Sequence, residues 1–267
     1  MIEQRRTRKA GARRLAAACV ALLCAAFVAL GIWQLQRLQW KTTLIAQVDQ
    51  RVHAAPAAAP SQADWARLSK DQDEYRHIRL QGKFLDVPAT LVQASTVRGS
   101  GYWVLAPFAG QDGGIVMVNR GFVPTGSKPA APASPLPSEV SGLLRMSEPG
   151  GGFLRHNDPV HGRWYSRDVA AIAAARGLSR VAPYFVDQDA APQDAQKAAQ
   201  ENASEAEIIT RLPAAGATVV PIGGLTVVSF NNNHLVYALT WFAMALMAAG
   251  ACVFILRERG QPSSGPI

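Results

Sequence analysis

Residues 226–242, TVVSFNNNHLVYALTWF, pass from turn-forming asparagines into an apolar run that carries no charge. That run, Leu235 to Leu256, is 22 residues long, and a helix rising ~1.5 Å per residue needs ~20 apolar residues to cross the hydrocarbon of a bilayer. His234 therefore stands at the mouth of a membrane span. Tyr237 and Trp241 follow it by three and seven residues, so at ~100° per residue the three side chains fall on one side of the helix. An imidazole backed by two aromatic rings at a bilayer edge suits a flat, apolar, metal-bearing ligand. From the residues alone the better reading is an aromatic belt, in which such residues only anchor the span. Both readings stay open at this point.

A second run, Leu15 to Trp33 (LAAACVALLCAAFVALGIW), has 19 residues without a charge, and Arg5, Arg6, Arg8, Lys9, Arg13 and Arg14 precede it. The positive-inside rule keeps that end in the cytoplasm, and Arg257 and Arg259 keep the other end there too. The expected organisation is a cytoplasmic basic tail over 1–14, a transmembrane helix over 15–33, an extracytoplasmic domain over 34–233, a second transmembrane helix over 234–256 and a cytoplasmic tail over 257–267. A cleaved signal peptide is the rival for the first run, but LGIWQLQR, with its bulky Trp33, replaces the small-x-small processing site. Only 14 residues precede the run, which weakens the alternative of an Arg-rich mitochondrial presequence. The expected location is the bacterial inner membrane, with the main domain periplasmic.

This topology explains the charge. Of the net +8, the two tails carry +6, so the basicity is a membrane signal, and no Lys/Arg stripe interleaved with aromatics marks a nucleic-acid surface. Cys19, Cys24 and Cys252 all fall inside the spans. No disulfide or thiolate metal site is expected in the outer domain, although its compartment permits disulfides.

Between the spans the pattern is β-rich. Gln34 to Val52 has apolar residues spaced for one helical face, so the first span is expected to continue out of the bilayer until HAAPAAAP breaks it. Strands are expected at Arg76–Gly82, Ala89–Ala94, Tyr102–Phe108, Gly114–Val123, Val140–Met146, Ala182–Asp187, Ala217–Val220 and Leu225–Phe230. Asp112-Gly113-Gly114 reads as a hairpin turn, Arg120-Gly121 as a tight turn ending a strand, and TGSKPAAPASPLPSE (125–139) as a surface loop. Ser166–Arg176 reads as a short helix capped by Ser166 or Asp168 and stopped by Gly177. Residues 190–207 read as a solvated loop or exposed helix. The fold class is a membrane protein with two transmembrane α-helices flanking a β-rich α+β extracytoplasmic domain.

The chemistry points away from catalysis. No nucleophile elbow, Walker sequence, HExxH or dinucleotide fingerprint occurs, so no enzyme is expected. His53, His77, His156 and His161 lie in linker, strand or loop without metal-ligand spacing. Met244 and Met247, within the second span, read as packing residues rather than thioether ligands. Trp33, Arg37, Trp40 and Lys41 emerge from the first span and are expected to face His234, with Gln34 an unremarkable boundary residue. Ala17, Ala21, Ala25 and Ala29, and Ala245 and Ala249, recur at steps of four and are expected to let the spans touch.

The blocks LGIWQLQRLQWKTTLIAQVDQR, YRHIRLQGKF, GYWVLAPF, VNRGFVP, WYSRDVAAIAAARGL and NNNHLVYALTWF resemble, in order, the Surfeit locus 1 protein family, over residues 30–256. The resemblance implies an assembly factor for haem-copper cytochrome c oxidase that binds haem a and delivers it to the catalytic subunit. The family's functional histidine falls on His234, which becomes the expected axial ligand of the haem iron. Tyr237, Trp241 and Trp33 are then haem-binding neighbours, and Arg37 is a partner for the propionates. The implied partners are the oxidase catalytic subunit, haem a synthase and the lipid bilayer. The alternative is a scaffold that steadies an oxidase assembly intermediate without carrying haem.

Overall fold

The computed structural model describes residues 2–96, 98–132, 138–152, 154–190, 216–225 and 232–257. In chain order the elements are α1 (Ile2–His53), β1 (Ala57–Ala58), a 3-10 turn (Gln62–Arg67), α2 (Lys70–Asp73), β2 (His77–Phe84), β3 (Thr90–Thr96), β4 (Gly99–Gly110), β5 (Ile115–Pro124), β6 (Lys128–Pro129), β7 (Ser138–Met146), α3 (Val169–Ala175), β8 (Val181–Gln188), β9 (Thr218–Val219) and α4 (His234–Arg257). The chain divides into two units, residues 1–47 with 229–267, and residues 48–228. The expected strand at Leu225–Phe230 and the 190–207 segment fall almost wholly outside the described residues.

In the first unit, α1 and α4 are both long and apolar enough to cross a membrane. The first span and the amphipathic segment after it form one uninterrupted helix, which ends three residues before Pro56, where the ring would remove a backbone donor and clash with the preceding turn. The less exposed face of α1 runs through Ala17, Val20, Cys24, Phe27, Gly31, Gln34 and Leu38, and that of α4 through His234, Ala238, Trp241, Ala245, Ala248, Cys252 and Ile255. Both sets alternate steps of three and four, the spacing of a coiled-coil seam. The pair is antiparallel. Arg13 Nη2 donates to Ile255 O at 2.7 Å, Cys24 Sγ to Ala245 O at 3.3 Å, and Phe27 stacks on Trp241 with centroids 5.8 Å apart.

The expected row of alanines is therefore wrong on α1: Ala17 is buried, but Ala21, Ala25 and Ala29 are exposed. Four residues turn the helix ~400°, so a row at strict steps of four drifts ~40° per step, whereas alternate threes and fours hold their direction. On α4, Ala245 is buried and Ala249 half-buried.

The second unit is built on a sheet that closes on itself. β2 pairs antiparallel with β7 over His77–Gly82 and then, at Gly82–Phe84, with the end of β4. The order β2-β7-β8-β5-β4 thus returns to β2 as a five-stranded barrel, with β3 along the rest of β4 and β1 beside β2. The strand period of two sorts the core. Ile78, Leu80, Val116, Val118, Val140, Leu144, Ala182, Tyr184 and Val186 fill the inside with Phe108, and Trp65 and Leu68 of the segment after β1 pack against them. Leu105, Met117 and Phe185 point the other way, against Val169 and Ile172 of α3 and against Trp164.

Local expectations mostly follow. The β4–β5 turn is set by Gly110 N bonding Gly114 O at 2.8 Å and Gly114 N bonding Asp112 Oδ1 at 3.0 Å. Asp168 caps α3 by accepting from Ala171 N at 3.1 Å. Lys128–Pro129, expected within a surface loop, instead pairs with β9. Arg120-Gly121 does not end a strand. It forms a bulge inside β5, where the register against β4 slips between Trp103 and Leu105. Gly121 has φ +124, and a Cβ there would strike the carbonyl of Ile222, whose backbone exchanges hydrogen bonds with Phe122 at 2.9 and 3.0 Å. A third backbone packed on the strand, not a chain reversal, accounts for this glycine.

Candidate site at the end of the helix pair

The last contact of the seam is polar. Gln34, seven residues after Phe27 and so in the same phase of α1, places its side-chain Oε1 2.8 Å from His234 Nδ1. His234 opens α4, and its aromatic neighbours fall into two settings. Trp241 lies in the seam against Phe27, whereas Tyr237 is 54% exposed. On α1, Trp33 and Trp40 are also each 54% exposed. The Arg37 guanidinium lies 4.1 Å from the centre of the Trp40 ring, a cation–π distance. Among the described residues the hydrogen-bond partner of the His234 ring is Gln34, not one of those expected to face it. The sequence carried that signal in the heptad step from Phe27 to Gln34.

This end of the pair offers one imidazole, three half-exposed aromatic faces and a guanidinium. That set fits a planar apolar ligand that needs a nitrogen donor and carries anionic side arms. His234 is the one histidine in the helix-pair unit. His53 bonds Asp49 O at 2.9 Å, His161 bonds Asp158 Oδ2 at 2.8 Å, and His156 approaches Gly150 O at 3.4 Å. His77 bridges Ala54 O and Asp189 Oδ2, both at 2.8 Å. Met247 is largely exposed. Among the described residues no three His, Cys, Asp or Glu side chains converge as metal ligands.

The densest charge cluster among the described residues lies in the second unit and was invisible to sequence spacing. Arg145 Nε donates to Glu74 Oε1 at 2.8 Å and its Nη1 to Asp187 Oδ2 at 3.2 Å. Arg167 grips Glu148 through Nη2 at 2.6 Å and Nε at 3.0 Å, and reaches Asp187 Oδ1 at 3.2 Å. Asn119 Nδ2 donates to the same carboxylate at 2.7 Å. Burial works to raise the Glu148 carboxyl, but hydrogen bonds and charge from Arg167 hold it below its ordinary value. Burial also works against the Arg145 charge, which Asp187 and Glu74 nonetheless stabilise. The residues satisfy one another around Phe185, over which Arg167 stacks at 4.6 Å. This is a bolt between β7, β8 and the segments flanking them rather than an open site.

Comparison with known proteins gives a consistent picture. The profile of the SURF1 family matches residues 21–246. Surfeit locus protein 1 of Xenopus tropicalis is 31% identical over 248 residues, covering 84% of this chain and 70% of that protein. The Homo sapiens protein of the same name is 30% identical, covering 81% and 69%. A SURF1-like protein of Monosiga brevicollis is 30% identical, covering 88% and 85%.

Proposed function

This chain belongs to the SURF1 family of cytochrome c oxidase assembly factors, and on that premise we propose that it binds haem a beside His234 and assists its delivery to the oxidase catalytic subunit. The observation that carries the reading is the setting of His234, a lone imidazole at the end of a membrane helix pair among half-exposed aromatic rings. His234 is the residue that would hold the iron, through an imidazole nitrogen. Tyr237 and Trp33 offer apolar faces, while Trp241 supports the imidazole's helix from within the seam. Arg37 is the cation for a propionate. Because Gln34 and His234 meet across the seam, the residues left to hold the ligand are the half-exposed ones on its flank, where exposure would favour release over permanent burial. Bound haem supplies redox and spectroscopic properties that report the ligation.

The proposed setting is the bacterial inner membrane, with both tails cytoplasmic and residues 34–233 periplasmic, as the basic residues outside the spans direct. There haem a synthase is the supplier. Phosphatase fusions after residue 150 should be active and fusions at the C-terminus inactive. His234→Ala, purified from cells that make haem a, should insert normally and lose or shift the haem absorbance. An unchanged spectrum and haem stoichiometry would return His234 to an anchoring role. A scaffold without haem predicts instead, in a deletion strain, fewer catalytic subunits with normal haem in each.

A further inference from the structure

We propose that Gln34 is the positioning residue for His234, holding the imidazole in its Nδ1–H tautomer so that the Nε2 lone pair is the one presented to a metal-bearing ligand. The inference rests on the haem-carrier reading only for what the lone pair is for. Its geometry stands apart from that reading. The group 2.8 Å from Nδ1 is the side-chain carbonyl oxygen of Gln34, which accepts hydrogen bonds and cannot donate. With the amide in this orientation, the proton between them is the one on Nδ1. A neutral imidazole has one such proton, so Nε2 is left as an acceptor, and among the described residues nothing bonds to it.

The hydrogen bond is also held from behind. Gln34 occupies a seam position, one step after Gly31, which packs against the Phe242 ring so closely that a Cβ there would lie 2.6–2.9 Å from it. The two helices are thus closely packed within a turn of where the amide and imidazole meet. Metal-bound histidines in general owe their orientation and basicity to such a partner on the second nitrogen. Here the partner comes from the other helix, so the helix pair itself sets the direction of the donor nitrogen. With Oε1 turned towards Nδ1 the bond forms only with the Nδ1–H tautomer, the one that leaves Nε2 open to a ligand.

The test begins without haem. In full-length protein in nanodiscs, with 15N-labelled histidine, long-range 1H–15N correlation should show the His234 proton on Nδ1. Gln34→Leu should move the population to Nε2–H, and Gln34→Glu, which keeps an acceptor, should retain Nδ1–H. A wild-type ring already protonated on Nε2, or a tautomer indifferent to Gln34→Leu, overturns the proposal. Titration with haem a forms the second arm. Gln34→Leu should weaken binding about 10- to 100-fold, the usual cost of losing such a partner, and Gln34→Glu should restore binding and lower the iron midpoint potential. If wild type shows the Nδ1–H tautomer but binds no haem a, the carrier reading falls and the positioning role stands. If Gln34→Leu binds haem a as tightly as wild type, positioning falls and the carrier reading survives. Should Gln34→Leu fail to insert, the tautomer and potential of Gln34→Glu decide alone.

Discussion

Arg145→Met should be among the most damaging single substitutions in the β-barrel unit. The guanidinium bridges Glu74 and Asp187, which are 6% and 4% exposed, and lies 4.7 Å from the centre of the Tyr75 ring. Methionine replaces much of the stem but leaves two carboxylates out of water with fewer partners. Glu74 keeps the backbone N–H of Met146 at 3.1 Å, and Asp187 keeps Arg167 and Asn119. Breaking a buried ion pair from one side costs about 3–5 kcal/mol. At ~2–4 °C per kcal/mol for a unit of this size, Tm should fall by roughly 6–20 °C. Thermal unfolding of the full chain in detergent, followed by near-ultraviolet circular dichroism, would measure the drop. Arg79→Met is the control, because its 3.8 Å pairing with Glu139 is half exposed on both sides and such pairs contribute about 0–1 kcal/mol. Glu74→Gln combined with Arg145→Met should recover part of the loss, since the stranded charge is then gone. An Arg145→Met shift no larger than that of Arg79→Met would refute the idea that this network bolts the barrel.

Other perturbations follow from the same structure. Gly121→Ala forces a side chain into φ +124 and against Ile222, and should lower stability by more than Gly126→Ala, whose φ of +84 faces open space; paired melting curves compare them. Glu148 is held below its ordinary carboxylate value when folded, so its contribution is present above the unfolded value of ~4.3 and is lost as pH falls through the folded one. Glu148→Gln should flatten that acid limb of the stability profile. Arg37→Ala should weaken haem a binding about tenfold or more in an optical titration, as expected for a charge-assisted hydrogen bond of ~1.5–3 kcal/mol.

Legibility followed the range of the interactions. Spans, strands and the hairpin turn are written in consecutive residues, so the apolar runs, those of β5 and β8 included, and the Asp-Gly-Gly turn could be read directly. The bulge at Gly121 could not, because its cause, the backbone of Ile222, lies about a hundred residues away in sequence. The Arg145–Asp187–Arg167 cluster was hidden for the same reason. Its only local trace is a charge set beside an apolar strand run, LLRM in β7 and YFVD in β8. At the helix pair the composition misled: alanine is so frequent that rows at steps of four arise by chance. The phase shared by Phe27, Gly31 and Gln34 carried the real contact and would have singled out Gln34.

The alternating seam also quantises the hairpin. One residue inserted between Phe27 and Gln34 would turn everything beyond it by ~100° and lift it ~1.5 Å, swinging the Gln34 amide off His234 even though the span remained long enough for the bilayer. Seven inserted residues restore the phase but add about 10.5 Å, a third of the hydrocarbon thickness. A helix pair of this kind cannot be fitted to a thicker or thinner membrane by small changes in length. It must meet any mismatch by tilting as a whole or by drawing the lipid to itself, while the geometry at His234 stays constant.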